Sequence, residues 1–294
     1  MATKDINNQP LVIIVGPTAS GKTALAVDIA RRFNGEIICA DSRTVYKGMD
    51  IATAKPTRED QSIVPHWGID LVGPDQHFSV AEFKYYADQK IVEIRKRGHV
   101  PLMVGGTGLY IDAVLFGYTF GAKPNTELRL KLQHMTLQEL REYCNVYHIN
   151  LPENDKNKRY IIRAIENTNL PKRRNTIPVY ENIIVGITTD KVVLRDRITA
   201  RIEQQLKNGV VEEAKKLGKK YGWDTEPMKS NIYPIVHAYI QNEISIEQLL
   251  TRACVIDWRL AKRQLTWLRR SSLIHWDTPE GLNTYIADRL VSAE

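Results

Sequence analysis

The chain has 294 residues, 43% hydrophobic and 26% charged, a globular balance that excludes a low-complexity polymer and leaves room for one large domain or a core with an insertion. Lys and Arg outnumber Asp and Glu by 41 to 34, for a formal charge of +7, which favours a polyanionic partner, although such a charge also serves solubility. Cys39, Cys144 and Cys254 are too few and too far apart for a disulfide framework or a cysteine metal cluster, and with no secretory or membrane-length apolar run the protein is expected in a reducing cytoplasm, away from membranes.

From the N-terminus, Leu11 to Val15 is a short unbroken apolar run that reads as a buried parallel strand, and Leu25, Ile29 and Phe33 give Thr23 to Phe33 helical spacing. Between them Gly16-Pro17-Thr18-Ala19-Ser20-Gly21-Lys22-Thr23 fits the phosphate-loop pattern of Gly, four free positions, then Gly-Lys-Ser/Thr. Glycines at 16 and 21 clear side chains from a loop that wraps an anion, so backbone N–H groups converge at the positive end of the helix. Lys22 adds a point charge for the terminal phosphate, and the Thr23 hydroxyl is the expected Mg²⁺ ligand. The pattern predicts bound phosphate without saying whose.

Glu36 to Ala40 reads as a second strand ending at Asp41-Ser42, which places Asp41 beside the loop, as a ligand-facing carboxylate or as a turn and capping residue. Tyr46 to Pro56 is broken by glycine and proline into a loop over the site, and His66 to Val72 is expected to hold another strand. His66, His77 and His99 lack ligand-like spacing and read as surface or hydrogen-bonding residues. The capping box Ser79 to Glu82 opens a helix to about Arg97. Pro101 to Val104 is a strand, and Gly105-Gly106-Thr107-Gly108 turns into a helix near Leu109. A nucleoside triphosphatase would end this strand in a carboxylate for Mg²⁺. Here glycines are expected to let the backbone approach a ligand, with Thr107 presenting a hydroxyl or merely capping the helix.

Residues 121 to 174 read as short helices without a strand, starting at Thr126 and at the capping box Thr136 to Glu139. A helix over Asp155 to Asn167 bears Lys156, Lys158, Arg159 and Arg163, and Lys172-Arg173-Arg174 follows; this is a basic insertion or a solvated charged face. Ile183 to Ile187 restores the sheet, and Asp190 caps a helix on which Arg197 and Arg201, four apart, share a face suited to clamping phosphate. A C-terminal helix opens at the capping box Ser245 to Gln248. Its Trp258, Ala261, Leu265 and Leu268 have core spacing, and Arg259, Lys262, Arg263 and Arg270 lie elsewhere, where they suit a nucleic-acid backbone. The fold class is α/β: a P-loop parallel sheet flanked by helices, residues 1–120 and 175–294, with a helical insertion subdomain at 121–174.

The phosphate loop, Asp41-Ser42-Arg43-Thr44-Val45-Tyr46 through Pro56, Val104-Gly105-Gly106-Thr107-Gly108-Leu109-Tyr110 and Ala261-Lys262-Arg263-Gln264-Leu265-Thr266-Trp267-Leu268-Arg269 together resemble the tRNA dimethylallyltransferase family, in this order along nearly the whole chain. The resemblance implies transfer of a dimethylallyl group from its diphosphate to N6 of the adenosine at position 37, beside the anticodon, with release of diphosphate. It implies that the loop, with Arg197 and Mg²⁺ on Thr23, holds the prenyl diphosphate, which removes the need for a carboxylate at the end of the 101–104 strand. Asp41 is then the base for the N6 proton, and Thr107 positions the reacting groups. The anticodon stem-loop is gripped by Asp41, Ser42, Arg43 and Thr44 and by Lys158, Arg159, Arg163, Lys262 and Arg263, and the enzyme is expected to be a monomer. Departures cluster away from the donor loop. The family usually has paired arginines where Arg159-Tyr160 stand, Gly-Tyr where Ile232-Tyr233 stand, and Thr-Arg where Asp257-Trp258 stand. Tyr160 reads as a core aromatic or as a base-stacking one. A prenyltransferase or kinase acting on free adenine nucleotides, and a non-catalytic tRNA-binding paralogue, remain alternatives.

Overall fold

The structure, a computed structural model, describes residues 9–120, 125–168 and 175–292. The chain divides into two compact units, Met1–Gly117 with Thr176–Glu294, and Tyr118–Asn175. The first unit opens with β1 (Leu11–Val15), α1 (Lys22–Arg32), β2 (Gly35–Cys39), α2 (Arg58–Ile63), β3 (His66–Trp67), α3 (Val80–Lys96), β4 (Val100–Gly105) and α4 (Gly108–Leu115). The second unit holds α5 (Thr126–His134), α6 (Leu137–Val146) and α7 (Lys158–Glu166). The chain then returns through β5 (Asn182–Ile187), α8 (Lys191–Lys207), α9 (Val210–Tyr221), α10 (Tyr233–Ile240), α11 (Ile246–Leu268), β6 (His275–Asp277) and α12 (Pro279–Ser292).

The six strands form one parallel sheet in the order β3-β2-β4-β1-β5-β6. β1 is apolar throughout because both its faces are covered. Val12 and Ile14 join α1 and α12 in one core, whereas Leu11, Ile13 and Val15 join α3 and α4 in the other. The phosphate loop follows this central strand at its carboxyl end, where open parallel sheets bind ligands. A third core packs α9, α10 and α11 around Val45, Tyr46, Met49 and Ala52. It fastens the 46–56 loop, which polar contacts also pin. Glu213 accepts hydrogen bonds from the amides of Asp50, Ile51 and Ala52 and from the Tyr233 hydroxyl. Buried Lys55 reaches Asp50 at 2.5 Å and Asp70 at 2.6 Å.

The capping boxes at Ser79, Thr136 and Ser245 form as the sequence predicts, and Asp190 caps α8 through the amides of Val192 and Val193. The strand expected over 66–72 stops at Trp67, because Gly68 and Asp70 turn with φ of 81° and 53° and Asp70 is drawn to Lys55. In the helical unit, Leu132, Leu140, Cys144, Ile161, Ile162 and Ile165 form a core of their own. Tyr160 takes no part in it: 49% exposed, it corrects the reading as a core aromatic, because the apolar face of α7 is already supplied by its isoleucines. Lys172, Arg173 and Arg174 lie outside the described residues. Among the described residues no helix is long and apolar enough to cross a membrane.

Candidate active site

The loop between β1 and α1 is shaped by its glycines and fastened from distant helices. Gly21 sits at the N-cap of α1 with φ 92°, a left-handed conformation that costs glycine nothing. The Thr18 amide donates to Gln264 Oε1 of α11 at 2.8 Å. The Thr18 hydroxyl accepts from Arg201 Nη1 of α8, and Arg197 Nη1 reaches the Ser20 carbonyl at 3.5 Å. Lys22 curls under the loop, donating from Nζ to the Pro17 carbonyl at 2.7 Å. Burial pushes its ammonium down to about 8, with Asp41 opposing the shift and Arg201 adding to it. Ser20 is 1% exposed and its hydroxyl has no hydrogen-bond partner. A buried hydroxyl in a ring of cations and amides fits an anion that would satisfy it.

The loop forms one wall of a cavity of about 580 Å³, lined by Thr18 to Thr23, Asp41 to Thr44, Thr107, Arg201, Arg263 and Gln264, among others. Asp41 Oδ1 accepts from the Arg43 amide at 2.8 Å, so the carboxylate holds its own turn while facing the cavity. Thr107 occupies the N-cap position of α4, yet its side chain makes no capping bond. Its Oγ1 instead accepts from the Ser42 amide at 3.1 Å, tying the end of β4 to the turn that carries Asp41. The cavity thus brings Lys22, Thr23, Asp41 and Thr107 together, while Arg197 lines an adjoining recess with Asp28 and Glu280.

Gly105 lines the cavity, and both glycines also clear room for neighbouring segments. A side-chain carbon on Gly105 would strike the Ala40 carbonyl, and one on Gly106 would strike Gln264. The glycines let β4 pass close to β2 and let α11 reach the loop.

Further residues take a place at the site. Gln264 lay within a recognised stretch, but its partner Thr18 is 246 positions away. Arg201, read from the sequence as sharing a phosphate-clamping face with Arg197, lines the main cavity, whereas Arg197 lines the adjoining recess. His66 also lines it. Its Nδ1 must donate to the Val64 carbonyl at 2.9 Å, and burial lowers its pKa, so the neutral ring carries its lone pair on Nε2, which is buried without a partner. Cys39 lines the cavity as well, its thiol pushed by burial up to about 12 and therefore inert.

The expected RNA contacts divide. Thr44 is 5% exposed and its hydroxyl donates to the Asp41 carbonyl. Arg43 is spanned by Glu226 at 2.9 and 3.4 Å. Arg263 is exposed and reaches the cavity wall, and Lys262 lies 5.7 Å from the Trp258 ring. In the helical unit, Arg159 is exposed, whereas Lys158 donates to the Gln133 carbonyl and Arg163 to Glu166 at 3.1 Å. Burial raises the Glu166 carboxyl, but the Arg129 and Arg163 guanidiniums outweigh it and hold the pKa below the usual range.

The profile of the family described as IPP transferase matches residues 44–271. A tRNA dimethylallyltransferase of Bacillus mycoides is 35% identical over 300 residues, covering 95% of this chain and 93% of that one. The solved tRNA isopentenylpyrophosphate transferase of Bacillus halodurans superposes with a TM-score of 0.75 at 34% identity, over 97% of this chain and 98% of the other. A eukaryotic dimethylallyltransferase solved acting on tRNA has a TM-score of 0.75 at 20% identity, over 92% of this chain and 74% of that one, a likeness of fold.

Proposed function

The chain belongs to the IPP transferase family, and from that premise we propose that it is a tRNA dimethylallyltransferase, moving a dimethylallyl group from dimethylallyl diphosphate to N6 of adenosine 37 in the anticodon stem-loop. The observation that carries this reading is one cavity with a phosphate loop on one wall and Asp41 with Thr107 on another. N6 attacks C1 of the dimethylallyl group as the C1–O bond breaks, the N6 proton passes to Asp41, and the bond's electron pair leaves with diphosphate. Lys22, Arg201 and the loop amides stabilise the charge growing on the leaving oxygen. Thr107 fixes the Asp41 turn through the Ser42 amide, so the carboxylate is aimed before substrate arrives.

Mg²⁺ fits the donor set. Thr23 and Asp41 offer hard oxygens at the loop, and no group of three His, Cys, Asp or Glu able to hold a metal occurs among the described residues. That suits an ion held by the Thr23 hydroxyl, phosphate oxygens and water. When bound, it supplies neutralising charge to the diphosphate.

The adenine must leave its stack to enter a cavity of this size. Arg263 at the rim and Arg159 on α7 are the exposed cations proposed to meet the RNA backbone. We place the enzyme in the cytoplasm, acting as a monomer. The test is an incubation with Mg²⁺, dimethylallyl diphosphate and either unmodified anticodon stem-loop RNA or AMP, read by mass spectrometry of the nucleosides. Prenylated adenosine from the RNA alone is the expected result. Product from AMP alone moves the activity to free nucleotides, and none from either leaves an RNA-binding protein.

A further inference from the structure

Asp257 is a buried charged residue of the cavity wall to which the reaction gives no part. It projects from α11, is 6% exposed, and lines the cavity that holds the phosphate loop. Its Oδ2 lies 3.4 Å from Arg201 Nη2 and makes no hydrogen bond, while Arg201 Nη1 donates to Thr18 of the loop. One guanidinium is therefore shared between the loop and a buried carboxylate. So loose an ion pair adds little to helix docking, which Leu194, Ile198 and Ala261 already provide beside Trp258. Its cost is plain: a buried negative charge beside a site for a multiply charged anion opposes that anion.

We propose that Asp257 is a positioning residue that acts through Arg201, competing for its guanidinium and so limiting the grip on diphosphate and hastening its release. The competition discriminates between the ends of the reaction. Diphosphate as it leaves, fully ionised, carries one more negative charge than its prenyl ester, so it depends more on Arg201 and loses more to the carboxylate. Tighter binding of the leaving group after bond cleavage would slow turnover without helping the chemistry. The inference rests on the diphosphate reading of the loop.

Calorimetry with inorganic diphosphate on the full chain tests it. Asp257→Asn is expected to bind diphosphate about 10-fold more tightly than the parent, and product inhibition during transfer to strengthen by the same factor. In an Arg201→Gln background the same substitution is expected to change nothing, because a buried carboxyl without its cation takes up a proton and asparagine replaces a group already neutral. Asp257→Thr is a second neutral variant should asparagine misfold. Unchanged or weaker binding in the folded variant overturns the proposal, since a purely structural role predicts weakening. Equal tightening in the Arg201→Gln background also overturns it. A parent that binds no diphosphate sinks the functional reading itself, whereas a parent that binds it while Asp257→Asn does not tighten sinks this inference alone.

Discussion

The phosphate-loop cavity and the helical unit both looked basic in sequence, and they use their cations in opposite ways. Around the loop, Lys22 and Arg201 stand beside a buried hydroxyl without a partner, Ser20, in space that an anion would fill. In the helical unit, Arg129 and Arg163 both close on Glu166, and Arg141 reaches Asp155 at 3.1 Å. Count of charge is thus a poor guide to availability. A cation hydrogen-bonded closely to a buried carboxylate, as Arg129 is to Glu166 at 2.6 Å, offers little to a phosphate, whereas Arg201, 3.4 Å from Asp257, is held loosely enough to turn to one.

The contrast is broken most forcefully at Lys22. Lys22→Ala is expected to cut transfer about 100- to 1000-fold, the scale for one electrostatic donor in a closed site, measured as single-turnover rate with saturating RNA. Loss of less than about 5-fold would shift the leaving-group role to Arg201 alone. Asp41→Ala is expected to lower transfer about 100-fold while RNA binding holds; equal rates in variant and parent would remove the carboxylate from the mechanism. In the helical unit the largest effect is on stability. Glu166→Gln leaves Arg129 and Arg163 without their counter-charge, and because both are partly solvated the expected loss is about 1–3 kcal/mol, read by denaturant unfolding with tRNA absent.

The pH dependence sharpens the picture of the loop. Burial pushes the Lys22 ammonium down to about 8, so below that pH it is charged before the anion arrives. Above it, the proton must be taken up on binding, and affinity for the donor diphosphate is expected to fall by up to about 10-fold per pH unit. Lys22→Arg, whose guanidinium keeps its charge, should flatten the curve; an identical slope in both proteins would assign the titration to another group. The smallest effect separates the two arginines of α7. Arg159→Ala is expected to weaken stem-loop binding about 3-fold and to lower its salt dependence by about one ion, whereas Arg163→Ala should act on stability instead. Equal effects on RNA binding would mean that the Glu166 pair opens in the complex.

What was legible in the sequence is local. The β1 run, the glycine loop, the three capping boxes and the Asp190 cap each depend on residues within a few positions, so their chemistry is written in adjacent letters. Asp41, Lys22, Thr23 and Thr107 stand out as candidates because motif and strand end coincide, and the structure lines one cavity with all four. β6 escaped notice because three residues, the first of them exposed, carry no pattern, and only its pairing with β5 makes them a strand. The tertiary structure alone decided that Thr107 serves the Ser42 amide rather than its own helix, that Gly105 and Gly106 make way for Ala40 and Gln264, and that Arg201 answers to both Thr18 and Asp257. These are contacts between residues far apart in the chain. Each polar group takes whichever partner the packing of distant helices brings within reach, and no local spacing encodes that choice.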